Sequence, residues 1–169
     1  SPPRCSATRL YCDLALSPGA EIALPDSVAH HALNVLRLQL DDELTLFNGQ
    51  GGEYRATLVA ANKREARARL LGFQAIERES PLNITLALGI SAGERMDHIL
   101  QKATELGVST IVPLATERSV VKLSGERAER RLQHWQHVVI AACEQCGRNR
   151  VPAVAPVQPL FHYLAQPGG

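Results

Sequence analysis

The chain has 169 residues, 45% of them hydrophobic, and a formal net charge of +1. That is enough to bury one core or two small ones, and it rules out a disordered or strongly polyanionic chain. No apolar run reaches the ~18 residues of a membrane span, no basic-then-apolar leader opens the stretch, and four cysteines are too few for a disulfide framework. These features fit a cytoplasmic protein.

Thr8–Leu14 reads as a short strand and Pro18-Gly19 as a turn. Pro25-Asp26 opens a helical pattern with Asp26 as N-cap and Val28, Ala32, Val35 and Leu36 on one side. Glu43–Phe47 and Glu53–Ala61 form a hairpin about the glycine-rich 48–52, and Glu65–Ile76 is a further strand. One short helix among several short strands predicts a small β-barrel. Pro81 marks a boundary, giving domains over 1–79 and 80–169.

Beyond it the pattern becomes α/β. Ile84–Leu88 is a continuous apolar strand. The Ser91–Glu94 spacing resembles a capping box, and the helix after it carries Met96, Ile99, Leu100, Ala103 and Leu106 on one stripe. Gly107 ends that helix, and Thr110–Leu114 completes a βαβ unit. Glu126–Cys146 is a long helix with a stripe of Leu132, Trp135, Val139, Ala142 and Cys146, closed by Gly147 in the left-handed position. Only two strands are evident in this half.

Polar residues crowd the end of that helix: Glu144, Gln145, Arg148, Asn149 and Arg150. A carboxylate, amides and guanidiniums can orient a planar polar ligand or bind phosphate, and they also suit a solvated helix end. From Arg118 to Arg150 seven basic residues face three glutamates, and Lys63–Arg69 is a second basic run. Both fit a polyanionic partner, and both fit an ordinary charged surface. Arg118 and Lys122 follow a strand end, where ligands of α/β sheets sit. Cys143 and Cys146 form a CxxC inside a helix, and Cys5 and Cys12 do not complete a zinc pattern, so no metal is expected.

Several segments together resemble one family. Gln101-Lys102-Ala103-Thr104-Glu105-Leu106-Gly107-Val108, Pro113–Ser119 and Ala142-Cys143-Glu144-Gln145-Cys146-Gly147-Arg148 through Pro152 are similar to motifs of the RsmE-type methyltransferases. The match is dense over Ser80–Pro156. Arg9-Leu10-Tyr11 and His31–Arg37 resemble the family's amino-terminal part more loosely. The resemblance implies a PUA-like RNA-binding barrel followed by the front part of a SPOUT-type α/β domain, the class closed by a trefoil knot. It implies methylation of N3 of a uridine in small-subunit ribosomal RNA, with S-adenosylmethionine as cofactor, and a homodimer acting on the ribosomal RNA or small subunit. On this reading Arg148 supplies electrostatic stabilisation, Glu144 and Gln145 orient the base, and Arg9, Arg37, Arg118 and Lys122 contact RNA backbone.

The family's GPEGG and GPRxLRxETA segments, which hold the cofactor, do not occur in Ser1–Gly169. The stretch looks like the front two-thirds of such an enzyme, unable alone to bind the cofactor or turn over. A non-catalytic RNA-binding module is the rival reading.

Overall fold

The computed structural model describes residues 8–62, 65–76, 82–91, 93–115 and 125–166. The chain divides into two compact units: Ser1–Arg78 with Gly147–Arg150, and Glu79–Cys146 with Val151–Gly169.

The first unit is a five-stranded mixed sheet in the order β1-β3-β4-β5-β2. Its strands are β1 (Thr8–Tyr11), β2 (Glu21–Ala23), β3 (Glu43–Phe47), β4 (Glu53–Ala61) and β5 (Ala66–Gln74). β1 runs parallel to β3, and the other ladders are antiparallel. The path has two ends, β1 and β2, and among the described residues no ladder joins them into a closed barrel. The register shifts between Arg55/Ala56 and Leu58/Ala60 bend the β4–β5 ribbon, as bulges do. Alternation puts Leu10, Leu44, Leu46, Leu58 and Leu70 into one core. β3 is covered on both faces, because Thr45 and Phe47 are buried too. Gly52 is required in the hairpin turn. Its φ is +71°, and an added Cβ would lie 2.3 Å from the Phe73 ring.

The helix α1 (Asp26–His30) starts one residue earlier than an Asp26 cap would place it. Pro25 holds the capping position, without a side-chain hydrogen bond, and Asp26 is the first helical residue. The helix then widens into a π-helical turn over His31–Val35, where the Leu36 amide donates to the His31 carbonyl at 2.9 Å. Each π turn takes an extra residue. The expected apolar stripe therefore holds at Val28 and Ala32 and is lost beyond them. Val35 and Leu36 are exposed, and Leu33 and Leu38 pack on the core instead.

The second unit is a parallel sheet centred on β7 (Thr110–Ala115). β6 (Thr85–Gly89) lies on one side. Two short strands share the other, β8 (Ala153–Val154) along Thr110–Ile111 and β9 (Gln158–Pro159) along Leu114–Ala115. These two are absent from the sequence reading, since a two-residue strand shows no period. Between β6 and β7 the chain forms α2 (Gly93–Glu105). α3 (Glu126–Cys146) precedes β8, and α4 (Leu160–Ala165) follows β9. Met96, Leu100 and Ala103 of α2 meet Trp135 and Val139 of α3 over Ile111 and Val154.

Two stripe positions differ from expectation. Leu106 lies past the last helical residue and is exposed, while Thr104 is buried, its hydroxyl donating to the Leu100 carbonyl at 2.8 Å. Cys143 is buried and Cys146, the last residue of α3, is exposed. Leu100→Ala should cost about 2–5 kcal/mol, the range for emptying a fully packed leucine site, and chemical denaturation checks it.

Burial and the neighbouring Asp13 push the Cys12 thiol up to about 11. Cys12 is therefore a protonated core group rather than a metal ligand or nucleophile at neutral pH. A raised folded pKa stabilises the fold fully below the unfolded value and loses that contribution as pH rises through the folded one. Stability should therefore fall between about pH 9 and 11, and Cys12→Ala should flatten that limb of a stability–pH profile.

Candidate functional site

β1 alternates, so Leu10 enters the core while Arg9 and Tyr11 project from the opposite face. On that face Arg9 lies over the Phe47 ring, 4.6 Å from its centroid, and Tyr11 meets the same ring edge-on. Nη1 of Arg9 donates to the Glu53 carboxylate. Nη2 donates to the Arg148 carbonyl at 2.9 Å and to Asn149 Oδ1 at 2.8 Å. The Asn149 side-chain amide in turn donates to the Ile76 carbonyl at 2.7 Å. The Arg9 and Glu53 side chains are only 13% and 8% exposed, and Asn149 is fully buried.

This is a buried polar network with Arg9 at its centre. The guanidinium uses one edge on a carboxylate, another on the 147–150 segment, and its face on an aromatic ring. Nε of Arg9 is buried without a hydrogen-bond partner among the described residues. The network fixes the backbone at Arg148 and Asn149, directly after Gly147, whose φ of +88° ends α3 as its sequence position predicts.

The sequence-predicted residues fall into different settings. Arg9 is committed inside the first unit rather than held out to solvent. Arg148 is 5% exposed, so it is packed interior rather than part of a solvated helix end. Arg37 is exposed and adopts a left-handed φ of +53°, unusual for a non-glycine residue. Glu144 is half-buried and Gln145 exposed on the last turn of α3, in the second unit. Arg118 and Lys122 lie outside the described residues.

Asn149 and Glu53, which complete the network, were missed as site residues. Their partners stand 140 and 44 residues away in sequence, and only the quoted Arg9-Leu10-Tyr11 segment hinted at that face. Of the basic run ending at Arg69, Lys63 and Arg64 lie outside the described residues, Arg67 pairs with Glu21 and Glu65, and Arg69 with Glu21. Among the described residues no three His, Cys, Asp or Glu side chains converge as a metal site requires. No helix among them is long and apolar enough to cross a membrane.

Comparison with known proteins places this geometry. Residues 78–168 match the family described as RNA methyltransferase domain, and residues 24–71 match the RNA methyltransferase PUA domain. Ribosomal RNA small subunit methyltransferase E of Bacillus subtilis is 32% identical over 81% of this chain and 53% of its own length. The chain thus spans about half the length of that relative. A crystal structure of Ribosomal RNA small subunit methyltransferase E from Neisseria gonorrhoeae bound to S-adenosyl methionine superposes with a TM-score of 0.90. It is 45% identical and covers 97% of this chain and 67% of that one. A Legionella pneumophila protein in complex with the same cofactor gives 0.91, at 37% identity over 96% and 67%. With both units matched in order, the chain belongs to the RNA methyltransferase family, a PUA-like domain leading into a SPOUT-type α/β domain.

Proposed function

We propose that the protein to which this chain belongs methylates N3 of a uridine in small-subunit ribosomal RNA, using S-adenosylmethionine. The observation that carries the reading is the match of both units, at 45% identity, to an enzyme named for that RNA and solved with that cofactor. Residues 1–79 serve as the RNA-binding domain and 80–169 as the front of the methyltransferase domain. The protein works as a cytoplasmic homodimer on the ribosomal RNA or the small subunit.

S-adenosylmethionine supplies the methyl group. The described cleft of the second unit sets Glu94, Asp97, Arg130 and Arg131 beside Trp135, and no step is assigned through the cofactor.

The roles of this chain's residues follow from uridine chemistry. N3 is a weak acid and must lose its proton as the methyl arrives, leaving charge on the flanking carbonyl oxygens. Arg148 stabilises that charge. Glu144 and Gln145 orient the base once it leaves its stack. Arg9 is a positioning residue that holds the backbone at Arg148 and Asn149. Arg37, Arg118 and Lys122 contact RNA phosphates.

Binding should therefore weaken with salt, and Arg118→Glu with Lys122→Glu should lower affinity and reduce the salt slope. Anisotropy titrations with a ribosomal RNA fragment at several salt concentrations check this, and an affinity insensitive to salt would contradict it. Because Arg148 is buried, Arg148→Lys, which keeps the charge and loses the fork, is a cleaner probe than Arg148→Ala. It should slow single-turnover methyl transfer by about tenfold in the full-length protein, the scale of one preorganised stabilising group.

A further inference from the structure

α2 and α3 of the second unit wall a cleft of about 390 Å³, lined by Glu94, Asp97, Arg130, Arg131, His134 and Trp135. That volume is in the ~300–1,000 Å³ range of small-ligand clefts. Its groups are unequally committed. Nε2 of His134 lies 3.0 Å from both Asp97 carboxylate oxygens, so those two brace the helices against each other. Arg131 lies over the Trp135 ring, 5.3 Å from its centroid, and makes no ion pair among the described residues. The ring occupies only the guanidinium's face, and its N–H edges stay available to an oxyanion. Trp135 is 2% exposed, so the platform beneath Arg131 is fixed. Among the described residues Arg130 pairs with Glu126 only, at 3.7 Å with both side chains largely in solvent, a pairing that yields easily. Glu94, in the first turn of α2, makes no ion pair among the described residues.

Two available guanidiniums and one available carboxylate therefore line one cleft. A simple polyanion would meet the guanidiniums and be repelled by Glu94. A ribonucleotide carries both an anionic phosphate and a hydroxyl donor, and it satisfies both signs. We propose that this cleft is a ribose-phosphate subsite for single-stranded RNA, with Arg130 and Arg131 on a phosphate and Glu94 accepting from a ribose 2′-hydroxyl. The 2′-hydroxyl is the group by which a protein tells RNA from DNA at a given site. This rests on the reading of the chain as RNA-binding, and it adds a site and a means of sugar discrimination.

The test is anisotropy titration of the whole chain with a labelled single-stranded RNA and the DNA of the same sequence. Wild type should prefer RNA. Arg130→Gln with Arg131→Gln should weaken RNA binding by about tenfold and lower the salt slope by about 0.7, the single-strand value for one neutralised phosphate. Glu94→Gln should raise DNA affinity, because the repulsion is removed, and cut the RNA preference several-fold. Circular dichroism melts verify folding, and Arg130→Gln alone, on an exposed side chain, serves if the double substitution unfolds. Wild-type RNA affinity in the arginine variants overturns the proposal. So does a Glu94→Gln effect that is equal on RNA and DNA, or a cleft that binds without regard to sugar. If the unsubstituted chain binds no RNA at all, the functional reading fails with it. If it binds RNA and only the cleft variants are silent, the cleft proposal fails alone.

Discussion

Asn149→Leu should destabilise the first unit by about 2–4 kcal/mol, more than most single substitutions in the chain. Asn149 is fully buried, accepts from Arg9 Nη2 and donates to the Ile76 carbonyl. Leucine fills similar space and makes neither bond. The Ile76 carbonyl loses its Asn149 donor, and among the described residues Arg9 keeps hydrogen bonds to Glu53 and the Arg148 carbonyl only. A fully buried acceptor left without its donor costs roughly 1–3 kcal/mol, and this part-buried carbonyl takes the lower end of that range. Urea denaturation followed by circular dichroism measures the change. A shift below about 0.5 kcal/mol, the range of ordinary surface substitutions, would mean the network does not hold the 147–150 segment.

The second large effect is expected at the ion pair. Glu53→Ala should cost about 3–5 kcal/mol, because it leaves the Arg9 guanidinium buried without its carboxylate. Removing both charges together, Arg9→Met with Glu53→Leu, should cost much less than the sum of the two single losses. Paired burial of charge is often replaceable by apolar packing, whereas a lone buried charge is not. A double-mutant cycle gives the coupling directly. Additive losses would show that the two side chains contribute independently.

The cycle also bears on function. Arg9→Met in the full-length protein should slow methyl transfer beyond any loss of stability if Arg9 positions Arg148. A merely structural role would leave the rate per folded molecule unchanged.

What could be read from the sequence depended on period and length. The 21-residue α3 shows its stripe from Leu132 onward, about four turns, and the expected bounds Glu126–Cys146 are those observed. β3 and β4 were equally plain, since their alternation runs into a glycine-rich turn. β8 and β9 are two residues each and carry no periodic signal. They exist because β7 offers a free edge, a tertiary fact. The π-helical turn at His31–Val35 was hidden for another reason. Its residues look helical, and only the widened hydrogen bonding turns Val35 and Leu36 outward.

The candidate site was legible as a list of polar residues after a helix end, but not in its burial. Nothing local in Gly147–Arg150 says that a guanidinium 140 positions earlier closes on Asn149. That contact belongs to packed interior at Arg148 and Asn149, while Gln145 and Arg150 of the same cluster stay exposed. The family resemblance supplied the chemistry, and the structure supplied the anchoring.

The most direct measurement is methyl transfer to small ribosomal subunits that lack the modification. The full-length protein carrying this chain would be incubated with labelled S-adenosylmethionine, the RNA digested to nucleosides, and the products separated. The account predicts label in 3-methyluridine with the full-length protein, and none with residues 1–169 alone. Label in a different nucleoside, or transfer by residues 1–169 without the remaining length of its relatives, would contradict it.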